Sequence, residues 1–161
     1  MAFEKAEKYL SDRGFGDRIQ TFPVSSATVE LAARALGTEP ARIAKSLTFS
    51  AGDGAIMVVC AGDVKVNSGK FKQAFGVKAK MLSFDQVHCL IGYDVGGVCP
   101  FGVNPGVAVY LDESMKRFEY VYPACGSDCS AVKLTPQELE QLSASAGWVD
   151  VCVPMVETAQ K

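Results

Sequence analysis

The stretch RIAKSLTF, residues 42–49, carries a lysine in an awkward place. Strand alternation sets Ile43, Lys45, Leu47 and Phe49 on one face and Ala44, Ser46, Thr48 and Ser50 on the other. A charge on an apolar face must snorkel to water, meet a partner or be kept for a ligand. A second candidate is YDVGGVCPFGVNPG, residues 93–106, with four glycines and two prolines. Gly96, Gly97 and Gly102, with Pro100 between them, allow backbone N–H groups to reach a cleft unobstructed, which suits an oxyanion or a phosphate. The same residues also make plain turns. The loop lacks the lysine and Ser/Thr of a nucleotide P-loop, and no dinucleotide fingerprint is present.

Asp112 ends the apolar run VAVYL and either caps the following ESMKR turn or orients a water or substrate group. Thr28 is either a first-turn helix residue or a hydroxyl beside a pocket. Cys99, inside the glycine loop, is the best-placed thiol for covalent work, yet no base stands beside it in the sequence. There is no G-x-S-x-G elbow, and the single histidine, His88, lies in the helical pattern SFDQVHCLI. An enzyme built from these parts would work by positioning and electrostatics, without a covalent intermediate.

The other cysteines, Cys60, Cys89, Cys125, Cys129 and Cys152, are scattered, several in apolar contexts such as IMVVCAG and VDVCVP, and read as buried thiols. Only Cys125 and Cys129 stand close together. With one histidine, a zinc site would need distant ligands, so no metal or other cofactor is expected. Net charge is −2, but residues 65–80, KVNSGKFKQAFGVKAK, hold five lysines and no acid. That segment, with Lys70 and Lys72, is either a solvated helix face or a contact for a phosphate backbone.

These residues need a framework, and 161 residues at 48% hydrophobic and 21% charged suit one soluble domain spanning 1–161. No apolar run approaches the ~20 residues of a membrane span, and MAFEKAEKYLSDRG lacks a signal-peptide core. A cytoplasmic protein without a membrane partner is expected. Phe3–Arg13 reads as a helix. IQTF reads as a strand, and Ser25 or Ser26 as the cap of helix ATVELAARAL, ended by Gly37. KSLTFS and GAIMVVCAG form a hairpin over AGDG. Asn67 caps NSGKFKQAFG, VKAKML is a short strand, and Ser83 with Gln86 forms a capping box. VAVYLD, RFEYVYPA, AVKL and WVDVCV are strands. Thr135 and Glu138 box a helix running to about Ala146, and the tail near ETAQK frays. Hairpins mixed with helical crossovers indicate α+β with a mixed sheet.

Taken together, IAKSLTF, the hairpin ending in AGD, VNSGKF before a helix, GYDVGGVCPFG, VAVYLD and CGSDCSAVKLTP resemble the YbaK family. That family includes the inserted editing domain of bacterial prolyl-tRNA synthetase and its free-standing relatives. The resemblance runs from about Thr21 to Ala146. It implies a partly barrel-like sheet flanked by helices, and hydrolysis in trans of a small amino acid wrongly esterified to transfer RNA, most often tRNA for proline. The implied partners are the acceptor end of mischarged tRNA and prolyl-tRNA synthetase.

Carried over, Lys45 matches the family's functional lysine, which holds the phosphate or ribose side of the terminal adenosine. Gly96 to Pro100 matches its Gly-x-x-x-Pro loop, a cradle for the carbonyl, and Asp112 matches the acid after the apolar strand. Thr28 matches a pocket hydroxyl. Cys99 has no matching role. Where the synthetase editing domain carries a pocket histidine, this chain reads SAVKL near Ala131, so the pocket is expected to accept something larger than alanine. The alternative is a module that binds the aminoacylated end without hydrolysing it.

Overall fold

Glycines and polar caps divide this chain into short elements. The computed structural model describes residues 2–26, 28–52 and 54–155. Helix α1 (Ala2–Ser11) buries Ala6 and Leu10 completely and gives way at Gly14, whose φ of +87° glycine adopts without a Cβ clash. Strand β1 (Ile19–Thr21) follows. Helix α2 (Val29–Leu36) is capped by Thr28, whose hydroxyl accepts the Leu31 N–H at 3.1 Å, and not by Ser25 or Ser26. The chain ahead of it is held to another segment, with the Phe22 N–H donating to the Cys129 carbonyl at 2.8 Å, so the helix starts late.

Strands β2 (Ile43–Ala51) and β3 (Gly54–Ala61) form the expected hairpin, antiparallel from Ala44↔Ala61 to Ala51↔Gly54. After β4 (Val64–Val66) comes α3 (Ser68–Phe75), whose first turn is capped by Asn67 accepting from the Lys70 N–H at 2.9 Å. VKAKML does not become a strand. It runs beside β2 through two bonds, Ser50 N–H to the Lys80 carbonyl (2.8 Å) and Leu82 N–H to the Thr48 carbonyl (3.1 Å), then turns away into the Ser83 cap. The Ser83–Gln86 capping box opens α4 (Phe84–Gln86), which widens into a π turn over Val87–Ile91.

The remaining elements are β5 (Val107–Asp112), β6 (Tyr122–Pro123), β7 (Ser130–Val132), α5 (Pro136–Leu142), β8 (Gly147–Val149) and β9 (Cys152–Pro154). RFEYVYPA keeps only the two residues of β6. WVDVCV is broken in two, because the Val151 N–H turns to the Asp112 carboxylate at 2.9 Å instead of continuing a ladder. ETAQK lies outside the described residues.

The fold is a mixed α/β domain around a five-stranded sheet of order β6-β2-β3-β5-β8. β2 and β3 are antiparallel, while the β2–β6, β3–β5 and β5–β8 pairs are parallel. Bridges Val121↔Leu134 and Ala124↔Ala131 carry the order beyond β6 to the β1–β7 pair, giving the partly barrel-like wrap. Every residue of β3 from Ala55 to Ala61 is buried, so the sheet is covered on both faces by Phe71 of α3, Tyr93, Phe101 and Leu139 of α5. Among the described residues, no helix is long and apolar enough to cross a membrane.

Candidate active site

The outer edge of β2 is incompletely paired. β6 covers it only at Ile43 and Ala44, and the 80–82 strip rejoins it only at Thr48 and Ser50. In an antiparallel strand the N–H and C=O of one residue point to the same side, and residues two apart share that side. The outward bonds of Thr48 and Ser50 therefore fix the direction for Ser46: its N–H and C=O face away from β3, into the gap. No described residue takes either group.

A cavity of about 340 Å³ fills this gap. Lys45, Ser46, Leu47 and Thr48 form one wall. Thr28, Val29 and Ala32 contribute from the α2 side, Met81, Leu82 and Val87 from the 80–87 segment, and Gly96 and Val98 from the glycine loop. Ala124, Ser130 and Ala131 complete the lining. Its lining is mostly apolar, with hydroxyls and exposed peptide edges as the polar contacts, as expected for a small-molecule site.

Lys45 is half-buried at the rim. Its ammonium donates to the Met155 Sδ at 3.5 Å and has no carboxylate within ion-pair distance among the described residues. It therefore does not point into the core side of the strand as alternation with Ile43 and Phe49 suggests. The neighbouring Asp63 is held below the usual carboxylate range, chiefly by its paired bonds to Arg117 at 2.6 and 3.0 Å, with a lesser contribution from Lys45. Asp63 is thus already committed to Arg117, and Lys45 stands at the mouth with no ion-pair partner among the described residues.

Gly96 lines the cavity as the third residue of a turn closed by the Gly97 N–H on the Asp94 carbonyl at 2.9 Å. Its φ of +101° is the value a type II turn needs at that position. Gly97 has spent its N–H on that turn and cannot offer it to a substrate. Its smallness serves packing: a Cβ there would stand 2.7 Å from the Gly126 backbone. The loop rests on Tyr93, whose hydroxyl donates to the Phe101 carbonyl.

Several residues that the sequence puts with the site lie apart from it. Pro100 and Cys99 are buried behind the loop; burial pushes the Cys99 thiol up to about 11, so it is no nucleophile. Cys125 is likewise pushed up, to about 12, and the described residues contain no metal-ligating cluster with Cys129. Gly102, at φ +65°, packs against the Tyr9 ring of α1. Lys70 is tied to Asp150 at 3.0 Å and to the Cys152 carbonyl, and Lys72 lines a separate hollow with Ser68 and Lys78. Both are on α3, away from the cavity lining.

Asp112 is 2% exposed, and each carboxylate oxygen is taken: one by the Ser114 N–H, the other by the Val151 N–H, both at 2.9 Å. It is a cap and a tie between β5 and the approach to β9. Asp112→Asn would turn an amide N–H toward one of these donors and is expected to cost about 2 kcal/mol in urea unfolding. An unchanged midpoint accompanied by lost activity would instead return Asp112 to the chemistry.

Thr28 is in the lining, but its hydroxyl oxygen also caps α2. The sequence reading missed Ser46, Thr48, Ala124 and Ser130. The Ser46/Thr48 alternation is visible in KSLTF, but it resembles an ordinary solvent-facing pattern.

A model of the aminoacyl-tRNA editing domain matches residues 24–142. The chain is 52% identical over 153 residues to the uncharacterized protein YwhH of Bacillus subtilis strain 168, covering 94% of this chain and 98% of that protein. It is 28% identical over 126 residues to a proline–tRNA ligase of Bacillus cytotoxicus, covering 78% of this chain but 20% of the ligase. A solved structure described as a candidate trans-editing enzyme for prolyl-tRNA synthetase superposes with a TM-score of 0.84 at 30% identity, over 93% of this chain and 96% of that one.

Proposed function

Because the chain belongs to the aminoacyl-tRNA editing domain family, we propose that it is a free-standing deacylase that hydrolyses a small amino acid from mischarged tRNA, with tRNA for proline as the expected substrate. The observation that carries this reading is the cavity itself. A pocket of amino-acid size opens along an incompletely paired strand edge, with a lysine at its rim that has no carboxylate partner among the described residues. The amino acid occupies the cavity, the ribose sits at the mouth, and Lys45 receives the phosphate or ribose side of the terminal nucleotide.

In the reaction, water adds to the ester carbonyl carbon, the bond to the ribose oxygen breaks, and that oxygen leaves as a hydroxyl after taking a proton. An aminoacyl ester is already activated. What the pocket supplies is position, together with a donor for the oxygen that gains charge. The Ser46 N–H is such a donor, fixed by the strand and taken by no described residue. Gly96 of the glycine loop also lines the cavity. Lys45 and Tyr122 are the only titratable side chains among the described lining residues, so the water is oriented by the pocket or by the neighbouring ribose hydroxyl.

A second site of this kind answers a known weakness of synthetases: a pocket built for a larger side chain rejects one missing a methylene by only ~1–3 kcal/mol. The small side chains of Ala124 and Ala131 in the lining support a preference for a side chain larger than alanine. Wild-type protein assayed on a panel of mischarged tRNAs is expected to prefer such a side chain. Ala131→Leu should cut hydrolysis of the larger amino acid at least ~10-fold while sparing alanyl ester. Equal effects on all esters would dissociate Ala131 from selection.

A further inference from the structure

Thr48 is 5% exposed and lines the cavity, yet its hydroxyl makes no hydrogen bond to any described residue. Ser130, the other buried hydroxyl in the lining, is occupied by the Cys125 carbonyl at 3.2 Å and by Ser127 at 2.7 Å. A buried hydroxyl left unpaired costs free energy that a ligand facing it would recover. Two residues before it on the same strand, the Ser46 carbonyl also faces the cavity. Among the described residues no carboxylate lines the pocket, and the acceptors they offer a cation are neutral oxygens.

An aminoacyl ester presents an ammonium and a carbonyl on the two sides of one α-carbon, the same arrangement as the N–H and C=O of one residue in a strand. In a hydrogen-bonded antiparallel pair, two facing residues exchange both bonds. We propose that the substrate amino acid pairs with Ser46 as a one-residue strand: its carbonyl oxygen accepts the Ser46 N–H, and its α-ammonium donates to the Ser46 carbonyl and to Thr48 Oγ. This deepens the deacylase reading and rests on it. The pairing would complete the β2 edge between β6 and the 80–82 strip. It also makes recognition of the α-amino group independent of the side chain, which is left to the Ala124 and Ala131 wall.

The test compares aminoacyl-tRNA with a des-amino acyl-tRNA, in which hydrogen replaces the amino group. Thr48→Val, of nearly the same shape, is expected to lower kcat/KM about 10-fold on the aminoacyl ester and to leave the des-amino ester unchanged. Thr48→Ser should restore the difference between the two substrates. Loss of an unpaired hydroxyl should not lower the melting temperature. Equal loss on both esters, or no loss on the aminoacyl ester, would overturn the proposal. If wild-type protein hydrolyses neither ester, the deacylase reading fails on its own. Binding of a non-hydrolysable 3′-aminoacylamino-adenosine then decides this inference: tighter binding to wild type than to Thr48→Val supports it, and equal binding overturns it.

Discussion

Lys45→Ala is expected to lower deacylation about 100-fold while the protein stays folded. A charge-assisted hydrogen bond contributes ~1.5–3 kcal/mol, and the role proposed for Lys45 is to make one with the anionic or hydroxyl groups of the terminal nucleotide. The fold has little invested in this side chain. Among the described residues its ammonium bonds to the Met155 sulfur alone, and its strand is held by the Ala44↔Ala61 to Ala51↔Gly54 ladder. Melting temperature and circular dichroism should therefore match wild type. Lys45→Arg should restore little, since a planar guanidinium cannot occupy the same point as a compact ammonium. Full activity in Lys45→Ala would remove the lysine from the mechanism.

Ser46→Pro is expected to reduce kcat by about 100- to 1000-fold, the range seen when one donor to a developing oxyanion is lost. The one backbone donor that proline removes here faces the cavity, and the bonds between β2 and β3 belong to the neighbouring residues; the ring also fixes φ and restricts Lys45 to the extended conformation it already has in β2. An outward-facing edge position is where a strand tolerates proline. Ser46→Ala keeps the backbone intact and should retain activity within about threefold, which separates the peptide group from the side chain. A Ser46→Pro protein that melts normally and still hydrolyses the ester would show that the carbonyl is held elsewhere, with the Gly96 loop the next place to look.

Helix caps and hairpins were readable in the sequence because their causes are local. Asn67, Ser83 with Gln86, and Thr135 with Glu138 cap helices as their side chains predict. Elements set by distant contacts were not readable. Thr28 caps α2 because residues 22–26 are tethered to residues 128–129, and VKAKML fails as a strand because its ladder ends at Leu82. The site divides in the same way. Lys45 was conspicuous as a charge among apolar residues, and Gly96 as part of a glycine cluster. Asp112 was misleading, because the Val151 N–H that occupies it lies 39 residues away in the chain. The Ser46 peptide edge carries no side-chain signature at all: it exists because β6 is two residues long and the 80–82 strip peels away.

The most direct measurement follows the ester bond itself. Mischarged tRNA for proline, carrying each of several small amino acids in turn, is mixed with excess purified wild-type protein, and the fraction still esterified is followed over time in a single turnover. The deacylase reading predicts rapid, first-order loss of at least one amino acid, a rate about 100-fold slower with Lys45→Ala, and sparing of correctly charged prolyl-tRNA. An ester that binds the protein yet persists at its spontaneous rate for every amino acid would contradict it and leave a module that recognises the aminoacylated end without cleaving it.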